Sequence, residues 1–167
     1  MSRTHKLMLS AVLSALAVVL SFLEGLLPPL PLPGAKLGLA NVTVMYALCG
    51  VSLPCAVGVT VVKTVFALFR GPVACLMSAI GSVLSLMVMA LVHRFFRDKL
   101  SFVGLGVVGA VAHNMGQWAV SYVLLGSAMT YYAPLLLLLA IPAGIVTGLV
   151  LNVVYPYLQT IPLFRKG

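Results

Sequence analysis

Long apolar runs fill this chain, each stopped by a short cluster of proline, glycine or charge. The spacing of the breaks predicts six helices: Leu7–Leu27, Gly38–Val51, Leu53–Phe69, Pro72–Val92, Phe102–Leu125 and Ala133–Leu158. Pro28, Pro29, Pro31 and Pro33, followed by Gly34, cannot continue a helix and favour an extended loop. Gly50 to Pro54 and Arg70-Gly71-Pro72 are turn signals, and Arg94 to Lys99 is a polar loop. The second run, about 14 residues or roughly 21 Å of helix, is short against a hydrocarbon core of about 30 Å.

Composition turns this pattern into a class. The chain is 62% hydrophobic and 7% charged, too little polar surface to cover a water-soluble core. The expectation is an all-α integral membrane protein, a single six-helix domain over residues 1–167. Basic residues settle its orientation, because Lys and Arg concentrate in cytoplasmic loops. Six spans put Arg3 and Lys6, then Arg94, Arg97 and Lys99, then Arg165 and Lys166, on one side. Fusing the second and third spans would place the Arg94–Lys99 loop outside, so both termini are expected in the cytoplasm. The first run, with Glu24 in it and no small-x-small cleavage site before the prolines, is expected to be a retained helix rather than a signal peptide.

The net charge of +8 flanks apolar runs instead of forming one face, which argues against a nucleic-acid partner. Cys49, Cys55 and Cys75 lie in apolar segments without paired spacing, and are expected to be buried thiols with no metal or cofactor role.

Against this background Lys63 stands out, a lone ammonium in the run Val57–Phe69. A charge at bilayer depth costs at least about 2.5 kcal/mol and normally faces a partner, a cavity or a ligand. Helix rise places Lys63 and His113 near mid-depth, with Gln117 about 6 Å further out. Glu24, Asn41 and Arg70 fall near the outer ends of their helices, and Lys36 in the outer loop. His113, Asn114 and Gln117 share a helical patch, and Trp118 adds an aromatic wall. These residues predict an outer, cationic ligand pocket of Lys36, Asn41, Lys63, Arg70, His113, Asn114, Gln117 and Trp118. The bland alternatives are a packing role for His113, headgroup anchoring by Lys36 and Arg70, and an ion pair of Glu24 with Lys63 or Lys36. Small residues also recur at packing spacing: Ala11 and Ala15; Ala74, Ser78, Gly81 and Ser85; Ala140, Gly144 and Gly148 leading to Asn152.

The run Pro31-Leu32-Pro33-Gly34-Ala35-Lys36-Leu37-Gly38-Leu39-Ala40-Asn41, with Gly109 to Gln117 (GAVAHNMGQ), resembles bacterial membrane proteins called Gx transporters or heptaprenyl diphosphate synthase component I. The resemblance covers nearly the whole chain, and that family looks related to the S components of energy-coupling factor (ECF) vitamin transporters. It implies a lid loop over Pro28 to Lys36, an outer ligand pocket including Lys36, Asn41, Asn114 and Gln117, and partner docking through Ala11 and Ala15. The implied partners are an ECF transmembrane subunit with its ATPases, and a small anionic or flavin-like ligand. The alternative is a non-catalytic subunit of a flavin/quinone-linked electron-transfer or prenyl-quinone system.

Catalysis is not expected. Prenyl diphosphate synthases hold Mg²⁺ through Asp-rich motifs, whereas this chain has one Asp, Asp98, and one Glu, Glu24, predicted on opposite sides. It has neither a nucleophile–base pair nor a phosphate-binding Walker loop. His5, His93 and His113 do not form a haem-ligand pair.

Overall fold

The computed structural model describes residues 3–26, 38–96 and 100–164. Among them every regular element is helical: α1 (Arg3–Leu26), α2 (Leu39–Tyr46), α3 (Leu53–Phe66), α4 (Pro72–Phe95), α5 (Phe102–Leu125) and α6 (Ala133–Thr160). A π-helical turn, Ala47–Val51, extends α2, and 3₁₀ turns at Ala67–Arg70 and Gly126–Tyr132 extend α3 and precede α6. The proline-loop segment, with Lys36, and residues Arg97 to Lys99 lie outside the described residues, as do Arg165 and Lys166.

Four helical stretches are long and apolar enough to cross a membrane: Arg3–Leu26, Leu53–Arg70, Pro72–Phe95 and Phe102–Thr160. The last folds back on itself. Along it Trp118 Nε1 donates to Met129 O (3.0 Å) and Asn114 Nδ2 to Leu136 O (3.0 Å), while Val107 meets Gly144 and Val103 meets Gly148. Partners that retreat along α6 as they advance along α5 define an antiparallel hairpin. Large exposed side chains such as Val57, Val61 and Val65 on α3 and Leu138 on α6 face outward from the bundle. Exposed apolar faces on helices of this length are what a hydrocarbon solvent requires, and the chain is a membrane protein.

The first helix begins one turn earlier than the apolar run, at Arg3 instead of Leu7. That polar turn is anchored by His5, whose Nε2 donates to Leu163 O (2.6 Å). The contact also brings the first and last described helices together at one end of the bundle. Nearby, Tyr46 donates its hydroxyl to Phe164 O (3.1 Å), Gln159 donates to that hydroxyl (3.1 Å), and the Tyr46 and Tyr155 rings pack at 5.5 Å.

Short α2 survives because it is buried in protein. Ala40 and Val42 to Leu48 are all buried, so neighbouring helices rather than lipid surround it. Ser52 ends the π turn, donating its N–H to Ala47 O (2.9 Å), and its hydroxyl accepts from Cys55 N (3.4 Å) to cap α3. Pro54 stands in the first turn of α3 and Pro72 in that of α4, where a missing N–H costs nothing.

Glycines set the approach of the last three helices. A Cβ on Gly81 would lie 2.8 Å from His113 O, and one on Gly116 would lie 2.7 Å from Gly81 Cα. A Cβ on Gly148 would lie 2.7 Å from Phe102 O, and one on Gly144 2.8 Å from Gly106 O. Backbones this close exclude any larger side chain at these positions, and Ser85 Oγ adds an interhelical bond to Gly109 O (2.8 Å).

Candidate functional site

The start of α2 organises the end of the bundle opposite the termini. Gly38 sits at its N-cap with φ 73°, a left-handed conformation that glycine adopts without the Cβ penalty. There its N–H donates to Glu24 Oε1 at the end of α1, and its carbonyl accepts from Asn41 N (2.8 Å). Asn41 in turn accepts at Oδ1 from Lys63 Nζ (2.7 Å) on α3. The Gly-x-x-Asn spacing of residues 38–41 thus links Glu24 to Lys63 through one turn of helix. A Cβ on Gly38 would crowd the Asn41 amide at 3.1 Å, which adds a steric reason for glycine.

These residues line a cavity of about 40 Å³ reaching from mid-depth toward that end of the bundle. Its wall comes from all six helices and the 3₁₀ turn after α3. Glu24, Asn41, Lys63, Arg70, His113 and Asn114 are brought together as the sequence predicts. Lys63 is 5% exposed, so the methylene stem and ammonium are both taken out of solvent. Arg70 lies at the exposed rim. Two basic groups against one carboxylate make the site cationic.

Other expectations change. Gln117 and Trp118 do not line the cavity. Gln117 is 5% exposed and packs toward Gly81, with no hydrogen-bond partner for Oε1 among the described residues. Trp118 is turned to the far end of the hairpin, its N–H on Met129 O and its ring 5.5 Å from that of Tyr122. The indole is a hairpin clasp, not a pocket wall. Asn114 does reach the cavity, and its amide nitrogen donates one N–H to Leu136 O. Lys36 lies outside the described residues.

The sequence reading missed Ser21 on α1, Ser78 on α4 and Thr147 on α6, all buried and all at the cavity. Ser78 was counted in a packing stripe; Ser21 stands three residues before Glu24, on the same face. Hydroxyls at packing spacing were the available signal. Ala11 and Ala15 are exposed, on the side of α1 away from its buried Leu13, Ser14 and Ala17.

The fold and site define a helical membrane protein with a small, cationic cavity at one end of its bundle. Its sequence matches the family described as heptaprenyl diphosphate synthase component I over residues 13–154, and the chain belongs to that family. Neither a curated protein nor a solved structure matches it.

Proposed function

We propose that this protein is a ligand-binding and translocation component resembling the S component of an ECF transporter, without catalysis of its own. The observation that carries the reading is Lys63: a buried ammonium at a polar cavity, in a chain where 7% of residues are charged. An ammonium is expensive to keep within a bilayer unless it contributes to binding or is fully compensated. Held by Asn41 and flanked by Arg70, it offers a compact anion a charge-assisted hydrogen bond in a low-dielectric setting.

In this reading the chain crosses the membrane six times, with both termini cytoplasmic. Arg3, Lys6 and Arg94 support that sense, as does the meeting of His5 with Leu163. The cavity then opens toward the outer side, and exposed Ala11 and Ala15 face an energising partner in the bacterial inner membrane. Cavity size favours a small anionic group over a flavin ring: about 40 Å³ has room for roughly three waters, far below the ~300 Å³ of a drug-sized site.

The family's name favours a second reading, a non-catalytic membrane subunit of a prenyl synthase. Pull-down of the tagged protein from a native membrane separates the two: ATPases with a membrane subunit support transport, and a soluble prenyl synthase supports the alternative.

Lys63→Met tests the site itself. Mass spectrometry of small molecules co-purifying with wild-type protein is expected to find an anion that the variant loses, with the thermal midpoint equal or higher. Unfolding of both Lys63→Met and Glu24→Gln would instead make the charges structural.

A further inference from the structure

Beside the charged cavity, between the ends of α1 and α3, runs a groove of about 420 Å³ lined by Phe22, Gly25, Leu26, Phe66 and Phe69. Its lining is apolar except at two residues, Ser21 and Arg70, and those two also line the cavity. The small polar chamber and the large apolar groove therefore adjoin along one seam, formed by Ser21 and Arg70. Arg70 stands at that seam, on the 3₁₀ turn that follows α3. Phe66 and Phe69, tilted against each other at 5.4 Å, carry the groove along α3. On the other wall Gly25 leaves open space, with no atom of the described residues within 4 Å of where a Cβ would stand.

Resting on the reading of the cavity as an anion site, we propose that its ligand is a single-chain amphiphile. A compact anionic head, a terminal phosphate or carboxylate, occupies the cavity at Lys63 and Arg70, and its hydrocarbon tail lies in the α1–α3 groove. Size decides against a bilayer phospholipid as the occupant. Its phosphate is a diester, flanked by glycerol on one side and often a further headgroup on the other, and the cavity has no volume for either. A terminal head needs only the charged chamber. Glu24 also lines it, and its Oε1 already accepts from Gly38 N–H. Charge complementarity therefore rests on Lys63 and Arg70, with Glu24 setting a limit on how much anionic charge the head can carry. Tail burial against aromatic and aliphatic walls would supply the larger share of affinity, since it grows with the apolar area removed from water.

Dodecyl phosphate, methyl phosphate and dodecanol, titrated onto purified protein in nanodiscs of zwitterionic lipid, separate head from tail. Dodecyl phosphate is expected to bind at least tenfold tighter than either fragment, about 1.4 kcal/mol. Gly25→Phe projects a ring into the groove from a position where a Cβ meets no atom of the described residues within 4 Å, and Gly25→Leu is a smaller filler should the first perturb the fold. Either is expected to weaken dodecyl phosphate at least tenfold while leaving methyl phosphate unchanged. Lys63→Met is expected to weaken both phosphates. If filling the groove leaves dodecyl phosphate binding intact while Lys63→Met abolishes it, the tail assignment is wrong and the anion site stands. If groove filling weakens dodecyl phosphate and dodecanol alike while Lys63→Met changes neither, the groove is a lipid cleft and the anion reading falls with it.

Discussion

Two halves of this bundle use small residues for opposite purposes. In the half built by α4, α5 and α6, glycines stand where backbones touch: Gly81 against Gly116, Gly106 against Gly144, Gly148 against Val103. In the half built by α1 and α3, among the described residues a Cβ on Gly25 would meet nothing within 4 Å, and one on Gly58 would meet only the rotatable hydroxyl of Ser10, at 3.1 Å. The first half has no slack. The second holds the groove and contributes Glu24, Lys63 and Arg70 to the cavity. The contrast teaches that composition alone does not report packing: equal glycines mark a rigid scaffold on one side and adjustable space on the other. In the proposed binding role, the scaffold fixes His113 and Asn114 while the α1–α3 wall leaves room for a ligand.

The largest expected effect tests the rigid half. Gly148→Ala places a Cβ against Val103 Cα and Phe102 O, both backbone atoms that no rotamer change can move. Overpacking of this kind costs about 3 kcal/mol or more, and the thermal midpoint in detergent is expected to collapse. Gly58→Ala, its counterpart, needs only a turn of the Ser10 hydroxyl and is expected to stay within about 1 kcal/mol of wild type. Equal losses at both positions would erase the distinction between the halves.

A smaller loss is expected where the halves meet. Gly38→Ala forces a Cβ into a left-handed conformation, worth about 1–2 kcal/mol, and presses it on the Asn41 amide. The Glu24–Gly38 and Asn41–Lys63 bonds depend on that turn, so ligand binding is expected to fall by more than stability does. A change in thermal midpoint with unaltered binding would show that the turn serves the fold and not the site.

Much of this was legible in the chain. The breaks at the helix ends lie close to where they were predicted, because proline, glycine and charge disrupt an apolar run locally. Two things were not visible. Hydropathy begins α1 at Leu7 because the turn from Arg3 to Lys6 is polar, yet His5 is held by Leu163, 158 residues away. The fate of Trp118 was equally hidden. Helical spacing put it beside His113 and Gln117, but the choice of neighbour depends on how sharply the chain turns at Gly126, where φ is 76°. That turn brings Met129 O to the indole. Conversely, Lys63 was predicted for the site from depth, because a costly intramembrane charge leaves few places for its partners, and Asn41 from the motif that the chain shares with its family.

The smallest expected effect on the fold is also the one that points outside it. Ala11 and Ala15 stand one helical turn apart and are exposed, although the glycines of α4 to α6 show that small residues here usually mark contact. Within the chain they touch too little for size to matter, so Ala15→Leu is expected to shift stability by no more than about 0.5 kcal/mol. In lipid, however, a small-xxx-small face lets a second helix approach closely, and a leucine there holds the backbones apart. If α1 docks a membrane partner through this face, Ala15→Leu abolishes co-purification of that partner while ligand binding and thermal midpoint remain at wild-type values. Ala15→Gly, which keeps the face small, retains the complex. Loss of the complex with both substitutions would trace the effect to α1 itself, and retention with both would leave these alanines facing lipid.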